Sequence, residues 1–330
     1  MRQRMRSAIS RGGADVLLTE ETGELSTGME KFLMRLSSSR PKNRARRRDA
    51  GKTRLTPRDI VALTWIAHQY AIRLDHLQWL LGRYAGYGAR HANWVSENAA
   101  RNVVRRWKQM GYVHAEGIRD KEPFWIWVSQ KGLKKLGLPY TYTNLEASGL
   151  DAFTHLHAIN AIRLDLEADT PDLHWISERT LRREHVRIQE KAYLHRPDGV
   201  AVFADGLTIA LEAELSTKKL WELSEHLLEL LRGEEYLRSK LDLGTQMART
   251  LTRWQHSPYE EIWYYAPKTI RKQVRRVRAR LVADGVISDE EAQRICVWWY
   301  PLADTDAELS QEEREEEERR PEREDGPPDR

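Results

Sequence analysis

Apolar residues recur with helix or strand spacing only between residues 55 and 300, and this confinement limits what the chain of 330 residues can fold into. Residues 1–54 carry 14 basic and 6 acidic side chains, and residues 301–330 carry 13 acidic and 5 basic ones. Neither segment has enough apolar surface to form a core. We therefore predict a disordered basic arm (1–54), a folded part of about two domains, and a disordered acidic tail (301–330).

Composition excludes several classes of protein. No stretch of about 18 apolar residues is present, so the sequence does not predict an integral membrane protein. The single cysteine excludes a disulfide scaffold and a cysteine-based zinc finger. The first residues, MRQRMRSAIS, are basic and lack the apolar core of a signal peptide. We predict a cytoplasmic protein that does not bind a membrane.

The segment 55–140 has the helix and strand signals of a winged helix. Thr56 and Pro57 are typical of a helix start, and a second helix is predicted at about 74–81. Ser96 can cap a third helix that ends at Gly111. Two strands, YVHAE and FWIWVS, follow around the tip GIRDKEP. Three helices before a two-stranded ribbon predict a winged-helix domain that binds double-stranded DNA through its third helix.

The charge of this segment supports that prediction, since it has 13 basic and 6 acidic residues. In the whole chain 40 of the 54 basic residues are arginine, whose guanidinium group can bind two phosphate oxygens at once. Apolar residues line one side of the third helix and polar residues the other. We predict that this polar side and the wing tip contact bases or phosphates. The predicted DNA-binding residues are Arg101, Asn102, Arg105, Arg106, Lys108, Arg119 and Lys121. The alternative is an ordinary amphipathic helix with a solvated face.

The segment 141–300 alternates strands and helices. A helix is predicted at about 150–168, followed by the strands HWISERTLR, YLHRPDGVAVF and LTIALEAELS. A long helix at about 217–240, the strand EIWYYAP, a helix at 268–283 and the strand ICVWWY complete the order. His155 and His157 lie two positions apart on the first helix, so they point to different sides and are predicted to be structural.

The second and third strands are predicted to form a hairpin. Its turn is 204–206, with glycine in the left-handed position. Phe203 then pairs with Leu207, and this register sets Asp198 opposite Glu212. If the turn has two residues instead, Asp198 moves to the other face and loses this neighbour, unless a bulge at Gly199 restores the face.

Two opposed carboxylates repel each other, and Glu214 lies on the same face of the third strand. A divalent cation compensates such repulsion, and carboxylate ligands favour Mg²⁺, with Mn²⁺ as the alternative. Proline-aspartate-glycine turns and exposed edge strands also occur without any metal. The hairpin therefore predicts a magnesium site, and a hairpin that binds no metal remains the alternative.

The residues Arg196-Pro197-Asp198-Gly199 and Glu212-Ala213-Glu214, in an αβββαβ order, resemble the PD-(D/E)xK nuclease superfamily. The resemblance covers about 150–266. It implies that Asp198 and Glu212 bind the metal, with the carbonyl of Ala213 as a third ligand. The superfamily usually has lysine at the position of Glu214, so the resemblance implies that Lys218 or Lys191 replaces it. Glu178 resembles an upstream acid of some members, or is a surface partner of Arg182 or Arg183.

The segments THLHAINAIRL, WISERTLR, HRPDG and IALEAELSTK, after the winged helix, resemble the replication-relaxation family of plasmids and conjugative elements. This resemblance covers about 55–300. It implies a role in plasmid replication, or in relaxation of plasmid DNA for transfer.

The predicted fold is therefore a multidomain α+β protein, with a winged helix at 55–140 and a restriction-endonuclease-like αβββαβ domain at 141–300. Three functions fit it. The first is a DNA-binding protein of a mobile element with a magnesium-dependent endonuclease site made of Asp198, Glu212, Glu214 and Lys218. The second is a catalytically inactive adaptor that recruits replication or transfer proteins. The third is a transcriptional regulator that forms a homodimer through its C-terminal domain.

Overall fold

The computed structural model describes residues 54–83, 94–145, 148–187, 195–233 and 259–300. Within these ranges the chain is a mixed α+β protein with nine helices and two β-sheets. Residues 1–53 of the predicted arm, the whole predicted tail and Lys191 lie outside the described residues. No helix in the described ranges is long and apolar enough to cross a lipid bilayer.

The N-terminal unit consists of four helices and a three-stranded antiparallel sheet of order β1-β3-β2. Its elements are α1 (Pro57–His68), β1 (Ala71–Arg73), α2 (Leu74–Arg83), α3 (Glu97–Gln109), β2 (Val113–Glu116), β3 (Trp125–Val128) and α4 (Gln130–Leu136). The sequence predicted a ribbon of two strands, and this was incomplete. The short strand β1 pairs with β3 and adds a third strand.

Both predicted helix starts in this unit are confirmed. The hydroxyl of Thr56 accepts a hydrogen bond from the Asp59 backbone N–H at 3.2 Å, and the Asp59 carboxylate accepts one from the Thr56 N–H at 2.6 Å. This reciprocal pair is a capping box, which satisfies donors that a helix start leaves free. The hydroxyl of Ser96 caps α3 in the same way through the Ala99 N–H, at 3.3 Å.

The C-terminal unit is built on a five-stranded sheet of order β4-β5-β6-β7-β8. Its elements are α5 (Leu150–Asp169), β4 (His174–Ser177), α6 (Glu178–Arg187), β5 (Gly199–Val202), β6 (Thr208–Ala213), α7 (Leu220–Arg232), β7 (Glu261–Ala266), α8 (Lys268–Ala283), α9 (Asp289–Gln293) and β8 (Ile295–Trp299). The strands β4, β5 and β6 are antiparallel neighbours, whereas β6, β7 and β8 run parallel. The helices α7 and α8 follow β6 and β7 in the chain, as crossovers between parallel strands require.

The predicted strand HWISERTLR was wrong in its second half. Strand β4 ends at Ser177, and the next residues form α6. The reason is local, because the Ser177 hydroxyl accepts a hydrogen bond from the Thr180 N–H at 3.3 Å and so begins a helix. Glu178 in the first turn adds a favourable charge at the positive end of the helix dipole.

Both faces of the five-stranded sheet are covered. One face packs against α5 through residues such as Ile159, Leu211 and Trp263. The other packs against α7 and α8, with Leu227 and Val274 in the core. Neighbouring residues of β7 alternate between the two cores, as the two-residue period of a strand requires.

Helix α5 also joins the two units, because Leu164 belongs to the core of the N-terminal unit. Beside it, the Glu167 carboxylate accepts hydrogen bonds from Trp65 Nε1 at 3.1 Å and from Arg163 Nε at 2.7 Å. Arg83 lies 3.0 Å from the same carboxylate. A further bond runs from the Asn160 amide of α5 to the backbone carbonyl of β1. The units therefore share a buried polar interface.

Candidate functional site

The hairpin of β5 and β6 has the predicted register. Gly199 pairs with Leu211, and the turn closes through a hydrogen bond of 2.9 Å from the Phe203 N–H to the Leu207 carbonyl. Gly206 has φ of 91°, a conformation that favours glycine. The turn is therefore the three-residue form, and the alternative two-residue turn is excluded.

Asp198 comes just before β5, and its N–H donates to the Leu211 carbonyl at 3.0 Å, which continues the register and sets Asp198 opposite Glu212. One carboxylate oxygen accepts from the Ala213 N–H at 2.9 Å, and the other lies 2.8 Å from Nε2 of His155 on α5. Burial disfavours a charged His155, but the charge of Asp198, the hydrogen bond to it and the charges of Glu212 and Glu214 together outweigh burial and raise the pKa of this imidazole.

Glu212 is buried in β6, with 4% of its surface exposed. Burial raises the pKa of its carboxyl, and the nearby charge of Asp198 raises it further, against the opposing effect of His195. Nε2 of His195 lies 3.0 Å from Oε1 of Glu212, yet neither atom has an aligned hydrogen bond. The His195 ring stacks on His226 of α7, with centroids 4.0 Å apart. A buried carboxylate oxygen without a hydrogen bond is an unfavourable group that a cation would satisfy.

Glu214 follows β6 and is also buried. Its Oε2 lies 2.5 Å from Nζ of Lys218, four positions later in the chain. Burial acts to lower the pKa of Lys218, but the hydrogen bond to Glu214 and the carboxylates of Glu212 and Asp198 raise it, so this ammonium stays charged. The structure therefore brings together the four residues Asp198, Glu212, Glu214 and Lys218.

A cleft of about 410 Å³ opens beside Asp198, between the two units. The N-terminal unit contributes residues 68–70 to its wall, and the C-terminal unit contributes α5, α6 and the segment before β5. The lining residues are His68, Gln69, Tyr70, His155, Leu156, Ile159, Glu178, Arg179, His195, Arg196 and Asp198. The site is therefore shared between units that were predicted as separate domains.

Tyr70 lies on the wall contributed by the N-terminal unit and has φ of 67°, which is unusual for a residue with a side chain. Its hydroxyl donates to Glu178 at 2.8 Å, and its ring contacts the Arg179 guanidinium, 4.7 Å from the ring centroid. Burial and then the charge of Glu178 raise the pKa of Tyr70 to about 12. Glu178 therefore faces the cleft, where Nε of Arg196 lies 3.7 Å from it.

Four predicted DNA-binding residues lie exposed on one side of α3: Arg101, Asn102, Arg105 and Lys108. The Arg101 guanidinium pairs with Glu97 at 2.6 Å, and Arg105 donates to the Asn102 side chain at 2.6 Å. Lys108 donates to a carbonyl of β2 at 3.2 Å. These contacts are all within the exposed surface, so the cationic groups remain accessible to an anionic partner.

The other predicted DNA-binding residues have different surroundings. The Arg106 guanidinium contacts the carboxylate of Asp59, which is fully buried. Arg119 donates to the Thr154 hydroxyl of α5 at 2.8 Å, so it links the β2–β3 loop to the C-terminal unit. Lys121 is exposed in the β2–β3 loop, with φ of 63°. The structure thus places Arg106 in a contact within the N-terminal unit and Arg119 between the units.

Two features were missed in the sequence. His155 was predicted to be structural, yet it contacts Asp198, 43 positions away, and its position on the helix gave no signal of this contact.

Helix α8 has seven basic residues and no acidic one in 16 positions. Lys272 and Arg276 are exposed, and neither they nor Arg275 has an acidic partner among the residues described. Cations four positions apart destabilise a helix by about 0.2–0.5 kcal/mol per pair, which favours an anionic partner for this face.

Comparisons with known proteins identify no relative. No protein-family model, no curated protein and no solved structure matches the chain. The resemblances to the PD-(D/E)xK superfamily and to the replication-relaxation family therefore stay predictions from the sequence.

Proposed function

We propose that the chain binds double-stranded DNA through its N-terminal unit and carries a divalent-metal phosphodiesterase site on the β5–β6 hairpin. The observation that carries the proposal is the convergence of Asp198, Glu212 and Glu214 beside a cleft that both units line. Three acids crowded on one ribbon are unfavourable without positive charge. The buried Oε1 of Glu212, whose 3.0 Å contact with His195 is not an aligned hydrogen bond, fits a metal ligand.

The DNA-binding part of the proposal is supported by the order of elements. The order is a helix, a strand, two helices and two further strands, with β1 joining the ribbon of β2 and β3, and this order is compatible with a winged helix. Its third helix is α3, whose exposed side has Arg101, Arg105 and Lys108. Contacts from these side chains to phosphates give affinity that falls steeply with salt.

The catalytic part assigns a role to each group of the hairpin. Asp198 and Glu212 would hold Mg²⁺ or Mn²⁺, which when bound lowers the pKa of a water and neutralises phosphate charge. Lys218 is held by Glu214 and would stabilise the charge that develops on the phosphate. His155 and the Ala213 N–H orient the Asp198 carboxylate.

The chemistry is tested by incubating supercoiled plasmid with the protein and Mg²⁺ or Mn²⁺. We expect nicking by the wild type and by Asp172→Ala, an exposed acid outside the hairpin. We expect none from Asp198→Asn, which keeps the shape of the side chain and removes its charge. Equal nicking by the wild type and Asp198→Asn would reject the assignment of this site.

DNA binding is tested by two double variants that remove the same charge. Arg101→Ala with Arg105→Ala should weaken binding and reduce the dependence of log affinity on log salt by about two, since each phosphate contact contributes about 0.9. Lys134→Ala with Lys135→Ala removes two exposed charges of α4 and should change neither. An unchanged salt slope in the α3 variant would show that another surface binds DNA.

Helix α8 offers a second surface for the phosphate backbone. Gln273 donates to the carbonyl of Lys218, so the middle of α8 lies next to the hairpin site. We propose that Lys272, Arg275 and Arg276 guide the backbone towards that site. Replacing these three residues by alanine in the α3 variant should weaken DNA binding further. If the combined variant binds DNA as tightly as the α3 variant alone, this role is contradicted.

A non-catalytic adaptor is the second candidate, and one observation favours it. His155, His195 and Lys218 already lie next to the three acids, so the chain compensates much of their charge without a metal. In the described part of the chain, no three ligand atoms of this hairpin cluster lie within 4.8 Å of one another. Intact DNA affinity without cleavage in any divalent metal would support the adaptor, which would recruit replication or transfer proteins.

A further inference from the structure

A second cluster of metal-ligating side chains lies at the interface of the two units, apart from the hairpin site. Asp75 and His76 are in the first turn of α2, and His157 is on α5. One ligand atom from each lies within 4.8 Å of the other two. The two imidazole rings stack, with centroids 4.3 Å apart and planes inclined by 20°.

The two histidines each present a buried nitrogen without a hydrogen bond. His76 is 8% exposed, and its Nδ1 has no partner. Nε2 of His157 is likewise buried and without a partner. Buried ring nitrogens normally donate, accept or bind a metal, so two orphans on facing rings need an explanation.

We propose that Asp75, His76 and His157 bind one divalent transition-metal ion of the zinc type. Two imidazole nitrogens and one carboxylate oxygen are the ligands of zinc, whereas Mg²⁺ prefers oxygen alone. In a four-coordinate site, ligands about 2.1 Å from the ion lie about 3.4 Å from one another. The three atoms, which lie within 4.8 Å of one another, would therefore approach by up to about 1.4 Å as the ion binds, with rotation of the stacked rings. A water completes the four-coordinate site.

Arg73 shares the carboxylate of Asp75, through bonds of 2.9 and 2.7 Å to its two oxygens. Each carboxylate oxygen has a second lone pair, so Asp75 can serve both partners. Glu122 lies 3.8 Å from Arg73 and supplies a further negative charge. The hydroxyl of Tyr300 lies 3.4 Å from Nδ1 of His157, on the far side of the ring from the orphan nitrogen, and would orient the ligand.

Such an ion would tie α2 of the N-terminal unit to α5 of the C-terminal unit. His155, two positions before His157 on α5, lines the cleft and contacts Asp198. The ion would therefore fix α5, which lines the cleft, against the N-terminal unit. This inference does not depend on the proposed nuclease or DNA-binding activity.

The test uses the full chain freed of metal by a chelator. Zn²⁺ titrated in competition with a chromogenic chelator should show one tight equivalent, and Co²⁺ should give the intense visible bands of a four-coordinate site. His157→Gln and Asp75→Asn should each weaken the binding tenfold or more. His174→Gln, which changes an exposed histidine of β4, should leave it unchanged.

Thermal unfolding separates loss of the site from loss of the fold. Zinc should raise the midpoint of the wild type and of His174→Gln, but not that of a folded His157→Gln or Asp75→Asn. Equal zinc binding by the wild type and both ligand variants would overturn the proposal. Loss of the tight equivalent in Asp198→Asn alone would assign the ion to the hairpin and also overturn it.

Discussion

Truncation of two adjacent arginines of α3 should affect two different properties of the protein, its stability and its affinity for DNA. Arg105 is exposed and donates to the Asn102 side chain at 2.6 Å. Arg106 instead contacts Asp59, whose carboxylate is 0% exposed and also accepts from Trp107 Nε1 at 3.0 Å. We expect Arg106→Ala to destabilise the protein, and Arg105→Ala to weaken DNA binding.

The magnitude follows from what Arg106→Ala leaves behind. Removing one partner of a buried ion pair costs about 3–5 kcal/mol. The side chain of Arg106 is 32% exposed, so solvent screens part of this interaction. Thr56 and Trp107 also continue to donate to the Asp59 carboxylate. We therefore expect a loss of about 1.5–3 kcal/mol in the free energy of unfolding. Arg105→Ala, on the surface, should stay within about 0.5 kcal/mol of the wild type.

Urea unfolding measures the first quantity, and DNA affinity over a range of salt concentrations measures the second. Arg105→Ala should reduce the salt slope by about one. Arg106→Ala, studied at a temperature where it is folded, should keep the wild-type slope. The reasoning is refuted if Arg106→Ala is as stable as Arg105→Ala, or if it reduces the salt slope as much.

Three further outcomes are expected. Gly199→Ala should lower stability by about 1–3 kcal/mol in urea unfolding, because the new Cβ would lie 2.1 Å from Trp175; an unchanged midpoint would contradict this close contact. Glu167→Ala should cost about 3–5 kcal/mol because it leaves Arg163 buried without its carboxylate, whereas a loss below about 1 kcal/mol would mean that the interface polar network is weak. Burial lowers the pKa of His68 to about 3, below its unfolded value of 6.5, so its contribution to stability is full above about pH 6.5 and is lost on acidification. Between pH 6.5 and 5 this amounts to about 2 kcal/mol, and His68→Gln should lose less stability than the wild type over that range when both are unfolded in urea.

Local signals in the sequence predicted much of the fold. The cap at Thr56 and the turn at Gly206 act over three or four residues, so their consequences could be predicted from residue types alone. The turn also sets the strand register, and that register is sufficient to place Asp198 opposite Glu212. Helix α8 has its predicted bounds of Lys268–Ala283, because proline precedes it and its apolar residues keep a helical period.

Where local signals competed, prediction from residue types failed. The segment after Ser177 has residues compatible with a strand, but the serine hydroxyl caps a helix there. The three residues of β1 are too few to show a period, and they become a strand because β3 lies beside them.

The sequence by itself therefore determined the elements, the hairpin register and the acids that share one face of a ribbon, because each depends on neighbours a few positions apart. Only the tertiary structure decided which distant groups contact the acids of the hairpin and those elsewhere in the fold. It brought His155 to Asp198, placed Tyr70 of the other unit opposite Glu178, and turned Arg106 towards Asp59. These contacts join residues 43 to 108 positions apart. They arise from the packing of whole elements against one another, such as α5 between two cores and α3 against α1, and no periodicity along the chain encodes that packing.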